Sequence, residues 1–129
     1  MIQGIDNIGI CVHDLTRSVQ FYETLGFKQT FANDRGVTLT LGGLKLFVFP
    51  TRQAAPPAVA REFTLFDNPP GIDHLSFQVD DVDAMYAELT RKGLTFGVAP
   101  ADQAWGARIA ALKDPDGNNV YLLKWLARH

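Results

Sequence analysis

Residues 71–83 read Gly-Ile-Asp-His-Leu-Ser-Phe-Gln-Val-Asp-Asp-Val-Asp, and residues 4–15 read Gly-Ile-Asp-Asn-Ile-Gly-Ile-Cys-Val-His-Asp-Leu. Both stretches open with Gly-Ile-Asp and differ at the next position, which is Asn7 in the first and His74 in the second. Each continues with an alternating apolar pattern, typical of a strand, and then with an aspartate suited to cap a helix. The chain therefore contains an internal repeat.

The repeat extends to the ends of the two predicted helices, where Gly26 and Gly93 occupy matching positions. Asp14 and Asp81 are the predicted helix caps. The first copy predicts a strand over 4–12, a helix over 15–25 and strands over 27–31, 37–41 and 44–49. The second copy predicts a strand from Gly71, a helix over 82–92 and strands over 94–98, 107–112 and 119–125.

These elements form two modules of one strand, one helix and three strands, over residues 3–50 and 71–127 of a single domain spanning 1–129. Two copies of this length make a paired domain, because a solenoid needs at least three repeats. The proline-rich residues 51–70 are predicted to be a linker or lid with little regular structure. Three apolar residues of this linker are expected to pack back on the domain: Phe63, Leu65 and Phe66.

Composition limits the classes of function. The net charge of -2 gives no field that would attract nucleic acid, and no apolar run approaches the ~20 residues of a membrane span. We therefore expect a cytoplasmic protein that binds neither nucleic acid nor a membrane. The single cysteine, Cys11, forms no internal disulfide and is expected to be an inert core thiol in an apolar strand.

Four motifs follow one another in a recognisable order: His13-Asp14-Leu15, Phe21-Tyr22-Glu23-Thr24-Leu25-Gly26-Phe27, Asp73-His74-Leu75-Ser76-Phe77 and Asp114-Pro115-Asp116-Gly117-Asn118. With them the chain resembles the vicinal oxygen chelate superfamily of glyoxalase I, fosfomycin-resistance proteins, extradiol dioxygenases and bleomycin-resistance proteins. The resemblance implies an α+β fold in which two βαβββ modules, in pseudo-twofold arrangement, form a curled mixed sheet around a cleft. It also implies a homodimer. The run Trp105-Gly106-Ala107-Arg108 is most similar to the bleomycin-resistance branch.

Metal-using members of that superfamily hold a divalent ion with His or Gln on the first strand and Glu on the last strand of each module. The resemblance places these positions on Asn7 and Phe47 in the first module and on His74 and Tyr121 in the second. Phe47 has no donor atom, and a neutral phenol is a poor metal ligand. We therefore predict that the metal site is lost and that no metal or other cofactor is bound.

Strand alternation predicts which side chains line the cleft. The expected ligand-binding residues on the strands are Asn7, Cys11, Phe47, Phe49, His74, Ser76, Gln78 and Tyr121. Aromatic walls with a few polar groups are typical of a small-molecule pocket. Trp105 and Arg108 are expected to cap or charge-pair the ligand, because a guanidinium suits a carboxylate or phosphate. Alternatives stay open: His74 as a hydrogen-bonded core histidine, the aromatic residues as core, and Arg108 as a surface or salt-bridged residue.

Three functions follow from these residues. The first is a metal-free protein that binds a small hydrophobic or aromatic molecule, as bleomycin-resistance proteins sequester their drug. Bleomycin itself is a poor fit, because a cationic glycopeptide suits a more acidic host. The second is an enzyme of glyoxalase, lyase or dioxygenase type acting on a small carbonyl or oxygenated substrate, with His74 as the catalytic residue, either as metal ligand or as general acid or base. The third is a partner-binding dimer without a ligand.

Overall fold

The computed structural model describes residues 1–54 and 61–126, which contain two copies of one set of elements. The chain divides into two compact units, residues 1–56 and 57–129. Two parts of the sequence predictions, the middle of the linker at 55–60 and the end of the second module at 127, lie outside the described residues. Within the part that is described, neither helix is long and apolar enough to cross a membrane.

The first unit contains one helix and one four-stranded sheet. Its elements are β1 (Ile8–Val12), α1 (Leu15–Leu25), β2 (Lys28–Ala32), β3 (Val37–Leu41) and β4 (Leu44–Pro50). The strand order is β1-β4-β3-β2, with β1 parallel to β4 and the other pairs antiparallel. The sheet is therefore mixed, as predicted.

The second unit repeats this plan. Its elements are β5 (His74–Gln78), α2 (Val82–Arg91), β6 (Phe96–Asp102), β7 (Ala107–Lys113) and β8 (Asn119–Trp125). The strand order is β5-β8-β7-β6, again with one parallel pair, β5 with β8. The prediction of two βαβββ modules in an α+β fold is confirmed.

Local chemistry explains why both helices begin where they do. The Asp14 side chain accepts a hydrogen bond from the Arg17 N–H at 3.1 Å, and the Asp81 side chain accepts one from the Ala84 N–H at 3.0 Å. Each bond satisfies a backbone donor that has no partner inside the helix. Gly26, with a φ of 118°, ends α1 in a left-handed conformation that favours glycine. These predicted caps and the predicted stop are confirmed.

Each sheet packs one face on its own helix. Helix α1 lies on β3 and β4, and α2 lies on β6, β7 and β8. The core of the first unit consists of Ile10, Val12, Phe21, Tyr22, Phe27, Leu39, Leu46 and Val48. On the helix side of the second unit the buried residues include Val82, Leu89, Leu112, Val120 and Leu122. The opposite faces of the two sheets are thus left for other contacts.

The predicted starts of four strands are wrong. Strands β1 and β5 begin at Ile8 and His74, later than the predicted residues 4 and 71. Strands β2 and β6 begin late because the chain first has to close a helix. The N–H of Phe27 donates to the carbonyl of Tyr22 at 3.1 Å, so β2 begins one residue later, at Lys28. The N–H of Leu94 likewise donates to the carbonyl of Leu89 at 3.0 Å, so β6 begins at Phe96. Strand β6 then continues to Asp102 through two irregularities in its pairing with β7, which accommodate a proline within the strand.

Two expectations about burial are also wrong. Cys11 is exposed rather than a core thiol, because its neighbours Ile10 and Val12 occupy the helix side of β1. Phe66 is 94% exposed and does not pack back on the sheet. The same expectation is confirmed for Phe63 and Leu65, which pack against a buried cluster in the second unit.

Candidate ligand-binding faces

The face of the first sheet that points away from α1 carries no covering segment among the described residues of its unit. Strand pairing places Gly9 beside Phe47 and Cys11 beside Phe49, and Thr38 lies opposite Phe47 on β3. We call this surface, made of Gly9, Cys11, Thr38, Phe47 and Phe49, the open face. Cys11 is exposed and both phenylalanines are partly exposed.

Two phenylalanines form an apolar platform on the open face. The rings of Phe47 and Phe49 are stacked, with centroids 5.5 Å apart and an interplanar angle of 27°. Gly9 contributes to this arrangement, since a methyl group at that position would lie 3.4 Å from Cε1 of Phe49. A flat pair of rings of this kind offers dispersion and stacking contacts to a planar molecule.

The turn between β2 and β3 lies against this platform. The side-chain oxygen of Asn33 accepts hydrogen bonds from the N–H groups of Arg35 and Gly36, at 2.9 and 3.1 Å. A side chain at Gly36 would place its Cβ 2.5 Å from the carbonyl oxygen of Val48 and 3.0 Å from the ring of Phe47. Glycine is therefore required for this close approach, which holds Arg35 at the edge of the platform.

A groove of about 770 Å³ runs along the open face, within the size range of small-molecule sites. It is lined by Cys11, Asp34, Arg35, Phe47, Phe49, Pro50, Thr51, Arg52 and Gln53. A second depression of about 550 Å³ adjoins it at Phe47 and is lined by Asp6, Asn7, Thr30, Phe31, Thr38, Thr40, Lys45 and Phe47.

The matching face of the second sheet is covered by the chain itself. Residues 61–73, which we call the strap, lead from the linker into β5. Phe63 and Leu65 of the strap pack on a buried cluster made of Ala107, Ile109, Ala111 and Tyr121. The ring of Phe63 rests directly on Gly97 of β6, where any side chain would collide with it.

Three consecutive carbonyl groups of the strap accept hydrogen bonds from side chains of β7 and β8. Lys113 Nζ donates to the carbonyl of Arg61 at 2.6 Å. Asn119 Nδ2 donates to the carbonyl of Glu62 at 2.9 Å, and the Tyr121 hydroxyl donates to the carbonyl of Phe63 at 2.6 Å. Asn119 and Tyr121 are almost fully buried, so these bonds satisfy polar groups that water does not reach.

Asn68 and Asp73 fix the other end of the strap. Asn68 Oδ1 accepts from the Glu62 N–H at 2.6 Å, and Asn68 Nδ2 donates to Asp73 Oδ1 at 2.7 Å. Asp73 Oδ2 lies 2.8 Å from Nδ1 of His74. The hydrogen bond with His74 is the main reason that the pKa of the Asp73 carboxyl is lowered, with further contributions from Asn68 and from the positive charge of Arg61.

His74 and Tyr121, the two metal positions implied for the second module, are in contact. Their ring centroids are 4.5 Å apart. Burial raises the pKa of the Tyr121 phenol, and the negative charge of Asp73 raises it further. The phenol is therefore neutral at pH 7, and its hydroxyl donates a hydrogen bond to the carbonyl of Phe63 in the strap.

These residues do not fit a divalent ion. In the first module Phe47 has no donor atom and Asn7 offers only a neutral amide oxygen. In the second module the neutral Tyr121 phenol donates to the Phe63 carbonyl, so His74 is the one strong ligand among these four positions. Across residues 1–54 and 61–126, no three side chains of His, Cys, Asp or Glu are grouped to hold a metal.

The structure brings some of the sequence-predicted site residues together. Cys11, Phe47 and Phe49 share the groove, and Asn7 borders the adjoining depression. His74 contacts Tyr121, and Ser76 is paired with Tyr121 across β5 and β8. Ser76 and Gln78 are exposed residues of β5.

Trp105 and Arg108 have other partners. The indole rings of Trp105 and Trp125 meet edge to face, with centroids 5.6 Å apart. Arg108 donates to both carboxylate oxygens of Asp83, at 2.8 and 2.9 Å, and to Asp102 at 2.9 Å. These bonds raise the pKa of Arg108, and the bond from Arg108 lowers the pKa of Asp83. This geometry is that of the salt-bridged alternative.

Sequence reasoning did not single out Arg35 and Arg52 in the groove, or Lys113 and Asn119 under the strap. The turn residues Asn33 and Gly36 were a visible signal that a turn forms there. No local pattern indicates that the turn folds back onto Phe47.

Residues 4–122 match the Glyoxalase/Bleomycin resistance protein/Dioxygenase superfamily. The chain belongs to this superfamily. The uncharacterized protein YraH of Bacillus subtilis is 30% identical in an alignment 123 residues long, which covers 92% of this chain and 96% of that protein.

Two solved structures of this superfamily show the same fold. A glyoxalase family protein from Enterococcus faecalis is 25% identical with a TM-score of 0.76, over 95% of this chain and 98% of that chain. A bleomycin-binding protein in complex with bleomycin is 26% identical with a TM-score of 0.66, over the same shares of the two chains. The family predicted from the motifs is therefore confirmed.

Proposed function

We propose that this protein binds a small hydrophobic or aromatic molecule, without a metal, on the open face of its first module. The observation that carries the proposal is the stacked pair Phe47 and Phe49, 5.5 Å apart, left beside a groove of about 770 Å³. Partly exposed aromatic rings in a concave surface are what a ligand site needs for affinity. The bleomycin-binding relative supports small-molecule binding within the superfamily.

The second module supports the same assignment because its matching face is already occupied by the chain. Its matching face is occupied by Phe63, and the donors that a ligand would use, Lys113, Asn119 and Tyr121, are hydrogen-bonded to strap carbonyls. A ligand there would have to replace these contacts as well as make its own. Binding on the open face carries no such cost.

Calorimetric titration with naphthalene derivatives tests the proposal. Wild-type protein is expected to bind at least one derivative, and Phe47→Ala and Phe49→Ala are each expected to weaken binding tenfold or more, because the platform is halved. Phe66→Ala is the matched control, since that ring is 94% exposed in the other unit. Full affinity in both groove variants, or no binding by any derivative, would overturn the assignment.

A second function is favoured by one specific contact. The 2.8 Å bond between Asp73 and His74 orients the imidazole, as a carboxylate does in acid–base sites, and Tyr121 lies beside it. We propose, as the alternative, proton abstraction from a small carbonyl compound. Exchange of the α-protons of hydroxyacetone in D₂O, followed by NMR, should exceed the buffer rate and be lost in His74→Ala. A wild-type rate equal to that of buffer excludes this alternative.

The homodimer implied by the family resemblance, and the single domain of residues 1–129, stay predictions. Sedimentation velocity measures the oligomeric state, and a monomer at high micromolar concentration would contradict the dimer. A single unfolding transition seen by probes in both units would support one domain.

A further inference from the structure

The groove on the open face carries two arginines, Arg35 and Arg52, that form no ion pair with another described residue. The hydrogen bonds and ion pairs of the described residues give neither Arg35 nor Arg52 a side-chain partner. Arg108 is a useful contrast, because three bonds to two carboxylates use its guanidinium. Five N–H donors of a guanidinium are available at each of the two groove positions.

Both arginines lie on turns that the backbone fixes beside the platform. Arg35 lies in the turn that the side chain of Asn33 closes, and it precedes Gly36, where an added Cβ would lie 3.0 Å from the ring of Phe47. The residue before Arg52 is anchored in turn, because the Thr51 N–H donates to the carbonyl of Val12 at 2.8 Å. The backbone at both arginines is thus held beside the platform, and both residues line the groove.

The other charged group lining this groove is Asp34. Two guanidiniums and one carboxylate leave an excess of one positive charge, although the whole chain carries -2. Cys11 and Gln53 add polar groups without a formal charge. The local sign of charge is therefore opposite to that of the protein, and it favours an anion.

We propose that the ligand of this groove is a planar aromatic anion, whose ring stacks on Phe47 and Phe49 while its carboxylate or phosphate group is bound by Arg35 and Arg52. This inference rests on the proposed function and adds the ligand class. A planar guanidinium recognises both kinds of anionic group through paired hydrogen bonds. It assigns to Arg35 and Arg52 the role that sequence reasoning gave to Arg108.

Three probes that share one ring test the charge requirement. Calorimetry compares 2-naphthoate, neutral 2-naphthamide and cationic 2-naphthylmethylammonium at the same ionic strength, and 2-naphthyl phosphate separates a phosphate preference from a carboxylate preference. We expect 2-naphthoate or 2-naphthyl phosphate to bind at least tenfold more tightly than the amide. The cation should bind most weakly.

Arg35→Gln and Arg52→Gln are each expected to weaken binding of the anionic probe about fivefold to tenfold and to leave the amide unchanged. Both side chains lie on turns, so the variants should fold, and thermal unfolding checks this. Arg17→Gln is the matched control, because Arg17 is an exposed arginine of the same unit on α1. It should bind every probe as the wild type does.

The outcomes separate the two proposals. Equal affinity for the acid and the amide, or unchanged binding of the anion in both glutamine variants, overturns the anion assignment while binding itself stands. Loss of the anion preference in either variant supports it. Absence of binding by every probe removes the proposed function and this inference together.

Discussion

The two sheets of this protein follow one plan but use their second faces differently. In the first module this face carries two partly exposed phenylalanines beside a groove, whereas in the second module the strap covers the matching face. The position of Phe47 corresponds to that of Tyr121, since these residues pair with Gly9 and Ser76 at matching points of the repeat. One hydroxyl group distinguishes them, and in Tyr121 that hydroxyl binds the strap.

The comparison indicates that the two modules share one kind of core and differ in their second faces. The residues that pack on the helices remain apolar in both units. The differences are concentrated on the opposite faces, where Gly97 admits the ring of Phe63 and Asn119 holds the carbonyl of Glu62. In the second module a segment of the chain fills this face, whereas in the first module no described residue of the same unit does so.

The largest change in unfolding free energy is expected from Phe63→Ala, which removes the ring that fills the second face. Truncation of a packed phenylalanine costs about 3–5 kcal/mol when it is fully buried, so about 2–4 kcal/mol is expected for this partly buried ring. Urea unfolding measures it. Phe66→Ala, three residues along and exposed, should change the unfolding free energy by less than about 0.5 kcal/mol. Equal effects of the two changes would contradict the packing of the strap.

Gly97→Ala disrupts the contact between Phe63 and the sheet from the side of the sheet. The added methyl group collides with the Phe63 ring, and overpacking of this kind costs about 1–3 kcal/mol. Gly43→Ala is the control, because nothing lies within 4 Å of the corresponding methyl group. Thermal unfolding of both variants should show a lowered midpoint for Gly97→Ala only. An unchanged midpoint would mean that Phe63 does not rest there.

Tyr121→Phe removes the hydroxyl group that distinguishes Tyr121 from its counterpart Phe47. It leaves the carbonyl of Phe63 without its donor, at an expected cost of about 1 kcal/mol or slightly more in unfolding free energy. Tyr86→Phe, whose hydroxyl has no hydrogen bond among the described residues, is the matched control. If the two changes are indistinguishable by denaturant titration, the hydroxyl does not hold the strap.

Asp73→Asn should give the smallest change in unfolding free energy. The pH dependence of that change distinguishes it from an unspecific effect. The folded-state pKa of Asp73 is lowered, so its charge stabilises the fold fully above the unfolded-state value of about 3.9. That contribution is lost as the pH falls through the lower folded-state pKa. The difference in stability between wild type and Asp73→Asn should therefore be constant near neutral pH and vanish in strong acid. A difference that grows with acidity would contradict the network.

The parts of the fold that sequence predicts are those set by local chemistry. The helix ends are predictable from Asp14, Asp81 and Gly26. Few residue types cap a helix start or adopt the left-handed conformation at a helix end. The bounds of β3 and β8 agree with prediction because turn residues flank them. Strands β2 and β6 were misplaced where the residue after the helix was still needed to close it.

The faces could be predicted only in part. Alternation correctly grouped Cys11, Phe47 and Phe49, since pleating fixes the side of a strand on which a residue lies. It could not distinguish Phe63 from Phe66, because both are aromatic residues of one irregular segment. Only the space above Gly97 selects the first, and that space is formed by residues distant in sequence.

The most direct test of ligand binding on the open face is an NMR titration of the ¹⁵N-labelled protein with 2-naphthoate. If the ligand binds on the open face, the largest amide shifts fall on groove residues of the first module, at positions 9–11, 35–36 and 47–53, and the strap and β8 are unaffected. Largest shifts at 61–68, 74–76 and 119–121 would contradict it, because they would place the ligand on the face that the strap covers.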